Sequence, residues 1–328
     1  MRNRILKILR ESRDKYISGE EMAEKLGVSR AAVWKHIKEM RSQGYHIESQ
    51  ARNGYILREA PDVMLPGEIG NGLETQTIGR QIICHEQIDS TNNEAKRLAR
   101  EGAAEGTVVV AESQTGGKGR LERHFFSPQG KGIWFSVILR PKFLPQEAPK
   151  CTLLAAVAVA RAMTEFGLTP RIKWPNDLLY DNKKLVGILT EMSAEMDGIN
   201  YIVIGTGINV NIAAEEFPED LRSVATSLSQ MKGEHLPRVK FFQAVLRALD
   251  DLYAKVQAEG FAPVLAEWRK YSITLGQEVK VIGVRDGEVY FGKAADIDDE
   301  GALLVDTATG RQRVLAGDVS IRPQSGKW

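Results

Sequence analysis

The chain of 328 residues contains only two cysteines, Cys84 and Cys151. So few cysteines exclude a disulfide scaffold and a cysteine-based zinc site, and they favour a reducing, cytoplasmic location. The longest apolar run, LLAAVAVA at residues 153–160, is much shorter than the roughly 20 residues that cross a bilayer. The N-terminus has no apolar secretory segment. We therefore expect no membrane partner.

An excess of charge of one sign is also missing, because the net charge is +1. This value hides an asymmetry: residues 1–60 carry 13 Lys and Arg against 8 Asp and Glu, whereas the rest of the chain is slightly acidic. A small basic segment on a near-neutral chain favours nucleic-acid binding by that segment alone. Hydrophobic residues make up 43% of the chain, which is typical of globular domains, and the length predicts two or three of them.

Residues 1–60 predict a winged helix-turn-helix domain. Ser18 and Ser29 are expected to cap the second and third helices, and Asn53-Gly54 predicts a type I′ hairpin turn. The third helix buries Val33, Ile37 and Met40 and would lie in the major groove of DNA. Its candidate DNA contacts are Ser29, Arg30, Lys35, His36 and Lys38. A helical protein-interaction module is the alternative.

The remaining chain predicts an α+β multidomain protein. Residues 61–72 are rich in Pro and Gly and are interpreted as a linker. Residues 73–272 mix helices and strands without strict alternation, so a doubly wound sheet is not implied. Residues 273–328 hold short strands separated by turn residues such as Asp286-Gly287, which predicts a small SH3-like β-barrel.

The most unusual segment is ESQTGGKGRLERHFFSP at residues 112–128. Gly117 and Gly119 alternate with Lys118 and Arg120, so the backbone can approach an anion that the cations neutralise. The segment fits neither the Walker A motif nor a dinucleotide fingerprint. A basic surface loop is the plain alternative.

Four other segments carry polar groups at the ends of predicted elements. They are DSTN at 89–92, KWPND at 173–177, KKLVGIL at 183–189 and GTGINVN at 205–211. Asp177 can bind magnesium or orient an amine. Lys184 stands at the start of an apolar predicted strand. Each segment also has an ordinary explanation, such as a helix cap, a turn or a solvated lysine. The histidines show no metal-ligand spacing, so no resident metal is expected.

The order of these segments is more specific than any one of them. DSTN, then Gln-x-x-Gly-Lys-Gly-Arg, KWPND, KLVGIL and GIN resembles the biotin–protein ligases. With the helix-turn-helix segment, the chain resembles the bifunctional group that also represses biotin synthesis genes. The resemblance covers essentially the whole chain, and KWPND followed by KKLVGIL is its most diagnostic part.

The resemblance implies an enzyme that joins biotin to ATP, giving biotinyl-5′-AMP and pyrophosphate, and then passes biotin to a carrier lysine. It implies biotin, ATP and Mg²⁺ as cofactors, and catalytic roles for Lys184, Arg120 and Asp177. The positions matching the biotin and adenylate contacts are Ser90, Thr91, Asn92, Gln114, Gly117, Lys118, Gly119, Arg120, Lys184, Gly187, Leu189, Gly207 and Asn209.

The implied partners are apo biotin carboxyl carrier domains, palindromic operator DNA and a second copy of the chain in a ligand-promoted homodimer. Residues 113–128 would form a lid that excludes water from the adenylate. Arg322 matches a position where the tail domain reaches ATP.

The chain departs from the family's usual loop, because Lys118 replaces Arg, Glu122 replaces Gly and Phe125 replaces Trp. The ammonium group of Lys118 cannot form the two parallel hydrogen bonds of an arginine guanidinium, and Phe125 provides a smaller apolar ring than tryptophan. We expect an active enzyme that releases its adenylate faster. Two alternatives stay open: a biotin-sensing regulator with impaired ligase activity, and a lipoate-type ligase.

Overall fold

The computed structural model describes residues 1–12, 15–120, 123–195, 198–283, 288–316 and 319–323. The chain divides into two compact units, Met1–Val63 and Met64–Trp328. Each unit has its own hydrophobic core.

The first unit is a helix-turn-helix domain followed by a hairpin. Its elements are α1 (Arg2–Glu11), α2 (Gly19–Leu26), α3 (Arg30–Ser42), β1 (His46–Gln50) and β2 (Gly54–Glu59). Both predicted caps are confirmed: Ser18 Oγ accepts the Glu21 N–H at 3.0 Å, and Ser29 Oγ accepts the Ala32 N–H at 3.2 Å. The predicted apolar stripe of α3 is also confirmed, since its members are at most 1% exposed. Apolar spacing and capping chemistry are enough to form these helices.

The hairpin is present, but the predicted type I′ turn at Asn53-Gly54 is wrong. Gln50 pairs with Gly54, so the loop is residues 51–53, and the positive φ angles belong to Arg52 (69°) and Gly54 (107°). Glycine is required at position 54 because a Cβ there would collide with the backbone of Ile17. The glycine therefore allows a close approach of two backbones.

The segment 61–72, predicted as a linker, is packed structure at residues 64–69, whereas residues 70–72 are exposed. Met64 and Ile69 are 1% and 0% exposed and belong to the core of the second unit. The short helix α4 (Pro66–Ile69) begins with its proline, a position where a missing N–H costs nothing. The Met64 N–H donates to the Glu112 carboxylate at 2.6 Å. The Pro and Gly content of residues 61–72 suggested a linker, but proline is also common at the first position of a helix, where Pro66 stands.

A mixed seven-stranded sheet forms the centre of the second unit. Its spatial order is β3-β4-β5-β9-β8-β7-β6, with β3 and β4 parallel and every other neighbouring pair antiparallel. The strands are β3 (Ile82–Ile88), β4 (Val108–Gln114), β5 (Gly132–Leu139), β6 (Ile172–Lys173), β7 (Asp177–Tyr180), β8 (Lys183–Glu195) and β9 (Gly198–Asn209). The antiparallel pairs agree with the expectation that the sheet is not doubly wound.

Helices cover both faces of this sheet. On one face, Ala95 and Ala99 of α5 (Thr91–Arg100) pack against Val109, Ile138 and Val203. The opposite face and the helices beyond it form the main core. Those helices are α6 (Lys150–Glu165), the short α7 (Leu228–Lys232), α8 (Arg238–Glu259) and α9 (Ala262–Tyr271). Helix α6 is buried along most of its length.

The C-terminal residues form a second, smaller antiparallel sheet in the order β13-β12-β11-β10-β14. Its strands are β10 (Glu278–Gly283), β11 (Val289–Ile297), β12 (Leu303–Thr307), β13 (Gly310–Val314) and β14 (Val319–Pro323). Its apolar residues, such as Val279 and Leu303, belong to the main core. The predicted turn at Asp286-Gly287 lies outside the described residues.

Candidate active site and nucleic-acid surface

The floor of the candidate site consists of glycines on two neighbouring strands. Gly187 of β8 pairs directly with Gly207 of β9, and Leu189 pairs with Gly205. Directly opposed residues of antiparallel strands share one face of a sheet. The strands therefore present bare backbone where side chains would otherwise stand.

Two side chains use this bare surface. A Cβ at Gly207 would lie 2.5 Å from the Phe125 ring, and a Cβ at Gly187 would lie 2.8 Å from it. A Cβ at Gly205 would collide with Asn92 Oδ1. Phe125 belongs to the glycine-rich segment and was not predicted as a site residue. Its ring contacts Trp134 edge to face, with 5.8 Å between centroids.

The N-terminus of α5 borders the floor. Gln114, at the end of β4, accepts the Thr91 N–H at 2.8 Å and the Thr91 hydroxyl at 3.1 Å through its side-chain oxygen. Gln114 therefore caps the helix, and Ser90, although it holds the N-cap position, makes no side-chain cap bond. Among the described residues nothing pairs with the Ser90 hydroxyl, which lines the cavity over the floor.

Asn92 is held by the protein itself. Its amide nitrogen donates to Glu191 at 2.8 Å, and Lys96 Nζ lies 2.6 Å from the same carboxylate. The buried Ser136 hydroxyl lies 2.6 Å from Asn92 Oδ1 and 2.8 Å from Thr91 Oγ1, so one proton serves either acceptor. Burial raises the pKa of Glu191, but the hydrogen bonds from Lys96 and Asn92 outweigh it and lower the pKa. The network fixes the helix end against the floor.

Lys184 and Asp177 form an ion pair at the edge of the floor. Lys184 Nζ lies 2.7 Å from Asp177 Oδ1, and both side chains are partly exposed. The pair is local in origin, because β7 and β8 form an antiparallel hairpin in which Asp177 pairs with Gly187 and Leu179 with Lys184. The ammonium also lies 5.8 Å from the centroid of the Phe125 ring. The hairpin thus keeps one cation and one carboxylate beside the cavity.

The glycine-rich segment adds two further cations. Arg120 donates to Asn176 Oδ1 at 3.1 Å and to the Ala316 carbonyl, and burial lowers the pKa of its guanidinium. Lys118 Nζ donates to Asn93 Oδ1 at 3.0 Å. The segment folds back on itself, since the Phe125 N–H donates to the Gly117 carbonyl at 2.8 Å.

A small cavity lies over the floor. Eleven of the predicted site residues line it: Ser90, Thr91, Asn92, Gln114, Lys118, Gly119, Arg120, Lys184, Gly187, Leu189 and Gly207. Asp177 and Asn209 instead line an adjoining open cleft, which Arg120 and Lys184 share with the cavity. Gly117 lies just outside, where a Cβ would meet the Phe125 carbonyl and the Ser127 hydroxyl. The Asn209 amide donates to the Thr226 carbonyl at 3.0 Å, so it supports the wall.

The open cleft is rich in positive charge. Lys173 and Arg322 line it together with Arg120 and Lys184. Burial is the main reason that the pKa of Lys173 is lowered; Asp177 opposes the shift, and the charge of Arg322 adds to it. A cleft of this kind suits a polyanion.

Sequence reasoning missed Ser136, Asn176 and Glu191 as parts of the site. Asn176 lies in the KWPND segment, next to Asp177, but no role was predicted for it. Ser136 and Glu191 lie within apolar strands, and only the strand register brings them to Asn92. No local pattern distinguishes them.

In the first unit, the predicted DNA contacts lie on α3 with different accessibility. Arg30, Lys35 and Lys38 are exposed. Ser29 serves as the N-cap, and His36 is half-buried with Nδ1 3.7 Å from the Glu39 carboxylate. Three cations on one accessible helix face can contact phosphates or base edges.

None of the described helices is long and apolar enough to cross a bilayer. Within the described ranges, no three His, Cys, Asp or Glu side chains are grouped in a way that would hold a metal ion.

Known families and proteins match all parts of the chain. The profile of the Biotin/lipoate A/B protein ligase family matches residues 84–209, an HTH domain profile matches 2–56, and the Biotin protein ligase C terminal domain matches 274–322. The bifunctional ligase/repressor BirA of Bacillus subtilis is 41% identical over 98% of both chains, and that of Escherichia coli is 33% identical over 93% of this chain and 92% of its own. A biotin protein ligase from Aquifex aeolicus, solved in complex with biotin and ATP, has a TM-score of 0.65 at 31% identity, covering 75% of this chain and 100% of its own.

Proposed function

The chain belongs to the biotin protein ligase family, in its bifunctional ligase/repressor group, and on this premise we propose that it biotinylates carrier proteins and represses transcription. In the first reaction, a biotin carboxylate oxygen bonds to the α-phosphorus of ATP and pyrophosphate leaves. In the second, a carrier lysine takes the biotinyl group from the adenylate and AMP leaves. The observation that carries the proposal is the Lys184–Asp177 pair at the junction of cavity and cationic cleft.

The first reaction brings two anions together. A carboxylate approaches a phosphate only where fixed cations stabilise the charge that develops between them. Lys184 lines both the cavity and the cleft, so its ammonium lies where the two substrates would meet. Arg120 shares this position, and its bonds to Asn176 and Ala316 hold it in place before any substrate binds.

The cavity side would hold biotin. Its ureido ring needs donors and acceptors, and the unpaired Ser90 hydroxyl supplies both. Thr91 and Gln114 complete the polar end, while Leu189 and the glycine floor suit the apolar part of the ligand. Asn92 contributes by fixing these groups, since its amide is already bonded to Glu191 and Ser136.

The cleft side would hold ATP, taken as its Mg²⁺ complex. Magnesium prefers phosphate oxygens with one or two carboxylates, and Asp177 and Asp181 line the cleft. This donor set fits a metal that arrives on its nucleotide. Lys173 and Arg322 provide further positive charge in the cleft, and Lys118 contributes from the side of the cavity.

The second reaction needs a neutral lysine amine on the carrier. The amine nitrogen bonds to the acyl carbon of the adenylate, the bond from that carbon to the phosphate oxygen breaks, and the amine gives up a proton. Asp177 is the carboxylate nearest to Lys184 in the cleft, and we propose it as the acceptor of that proton. The carrier would then approach from the open cleft.

The reaction test compares two neighbouring lysines. Lys184→Ala should slow formation of biotinyl-5′-AMP by roughly 10²–10³-fold, because it removes one preorganised cation. Lys183→Ala is the matched control, since within the described part of the chain Lys183 Nζ donates to the Arg222 carbonyl at the surface and lines neither the cavity nor the cleft. Single-turnover release of labelled pyrophosphate measures the step directly. Equal rates for the two variants would contradict the role of Lys184.

The first unit would bind operator DNA. We propose a homodimer, promoted by biotinyl-5′-AMP, that presents two copies of α3 to a palindromic site. The exposed Arg30, Lys35 and Lys38 support phosphate contacts. Affinity should then fall steeply with salt, because phosphate contacts release counterions. Sedimentation equilibrium with and without biotin and MgATP tests the dimer, and an affinity that does not change with salt would contradict the DNA contacts.

Two features of substrate and location complete the proposal. The carriers would be biotin carboxyl carrier domains, and the location would be cytoplasmic, where Cys84 and Cys151 stay free as the structure has them. The choice of biotin over lipoate is tested by offering both acids with their carrier domains. Acylation by lipoate alone would assign the chain to the other branch of the family.

A further inference from the structure

An exposed tryptophan lies on the same helix as the proposed DNA contacts. Trp34 of α3 is 55% exposed, whereas Trp134, Trp174 and Trp268 are at most 1% exposed. Within the described part of the first unit, Trp34 and Met1 are the large hydrophobic side chains that stay exposed. Helix α3 does not need Trp34 for its core, which it builds from Val33, Ile37 and Met40.

The ring lies in the middle of a cationic face. Arg30 and Lys38 are one helical turn before and after Trp34, so all three share one side of the helix. Lys38 Nζ lies 5.3 Å from the centroid of the indole ring. Lys35, the next residue, is also exposed.

The charge around the ring decides which partner fits. Protein interfaces are enriched in tryptophan, but their centres are depleted of lysine. DNA-binding surfaces combine lysine and arginine with apolar groups that touch base edges. A tryptophan flanked by Arg30, Lys35 and Lys38 therefore matches DNA.

We propose that Trp34 reads sequence by packing its ring against the C5-methyl group of a thymine in the major groove. The flanking Arg30 and Lys38 then contact phosphates and hold the helix in register. This inference rests on the proposed DNA binding and assigns a base-reading residue that the charged contacts alone do not supply.

The test uses DNA that differs by single methyl groups. A duplex is first enriched from a random pool by the full chain in the presence of biotin and MgATP. Each thymine is then replaced in turn by deoxyuridine, which lacks only the C5-methyl. Wild-type affinity should fall about fourfold at one position, or at its two symmetry-related copies, since that is the effect of losing one buried methyl.

Two variants assign the effect to the ring. Trp34→Ala should bind the selected duplex more weakly and should no longer distinguish thymine from deoxyuridine at that position. Lys35→Ala should bind all duplexes more weakly but keep the discrimination, because phosphate contacts carry no sequence information. Trp34→Phe should keep part of the discrimination, and it provides a second folded variant if the alanine chain is unstable.

The outcomes separate this inference from the proposed function. If no duplex is enriched, DNA binding fails and the role of Trp34 fails with it. If a duplex is enriched but no methyl matters, or if Trp34→Ala keeps the wild-type discrimination, the role of Trp34 is wrong while DNA binding stands.

Discussion

The DNA-binding face and the ligase cavity are built in opposite ways. The face is one side of a single helix, with Arg30, Trp34 and Lys38 one turn apart and exposed. The cavity draws on segments from Ser90 to Gly207 and is mostly buried. A helix face needs only local spacing, whereas a convergent site needs the strands in correct register. The two regions should therefore respond differently to substitution.

In the first unit, core and function are carried by different sides of α3. Ile37 is 1% exposed, so Ile37→Ala should lower the free energy of opening of α3 by about 2–5 kcal/mol. Lys35→Ala, two residues away, should change it by less than about 0.5 kcal/mol and reduce the salt slope of DNA binding by about one. Hydrogen exchange of α3 in the full chain measures the first quantity. Equal effects of the two variants on stability would contradict this separation.

In the cavity, the same residues carry both packing and function. Gly205→Ala should destabilise β9 by about 1–3 kcal/mol and lower biotinylation, because the new methyl displaces Asn92 from Glu191 and Ser136. Gly198→Ala is the control on the same strand, where a Cβ meets nothing within 4 Å. Thermal unfolding and biotin transfer are compared for the two. If Gly205→Ala is as stable and active as the control, the packed floor is not required.

The lid residue should show a moderate effect. Phe125→Ala removes an edge-to-face contact with Trp134, so release of the adenylate should rise about 2–10-fold. Phe143→Ala, which removes a similar contact with Phe261 at 5.3 Å, is the control and should leave release unchanged. Release is followed by trapping free biotinyl-5′-AMP.

The family-like double variant Glu122→Gly with Phe125→Trp should slow that release. Glu122 lies outside the described residues. This expectation therefore rests on the family's usual loop pattern, which has Gly and Trp at these two positions, and on the larger apolar ring that Trp would provide at position 125. An unchanged release rate would contradict the leakage hypothesis.

The smallest effect concerns a buried hydroxyl below the floor. Thr206 Oγ1 is buried and, among the described residues, has no hydrogen-bond partner. Thr206→Val should therefore stabilise the second unit by about 1 kcal/mol, raising Tm by about 2–4 °C. Ser136→Ala is the contrast, since its hydroxyl is bonded and its loss should destabilise by about 1–3 kcal/mol. A lower Tm for Thr206→Val would mean that its hydroxyl stabilises the fold.

Local chemistry explains what the sequence predicted well. Ser18, Ser29 and the stripe of α3 obey capping and spacing rules that involve only a few neighbouring residues. Gly207 stands in the conspicuous run GTGIN, and Gly187 was assigned through the family resemblance, whereas Gly205 was not predicted as a site residue. Their purpose was not predictable, since it depends on Asn92 and Phe125 reaching them from other segments.

Long-range pairing explains what the sequence did not predict. Asn92 was assigned to the ligand because its position matched the family, yet the structure bonds its amide to Glu191 and Ser136. Ser90 holds the N-cap position of α5, but the side chain that accepts the Thr91 N–H belongs to Gln114, which is distant in sequence. Residues 64–69 are packed because Met64 and Ile69 contact a core built from the rest of the second unit. Composition alone contains none of these contacts.

We propose that the cavity and the cleft together perform biotin transfer. The most direct test is the intact mass of an apo biotin carboxyl carrier domain after incubation with the full chain, biotin and MgATP. We expect a gain of one biotinyl group, which depends on Lys184 and is unaffected by Lys183→Ala. An unchanged mass, with DNA binding that still responds to biotin, would contradict the ligase and leave a biotin-sensing regulator.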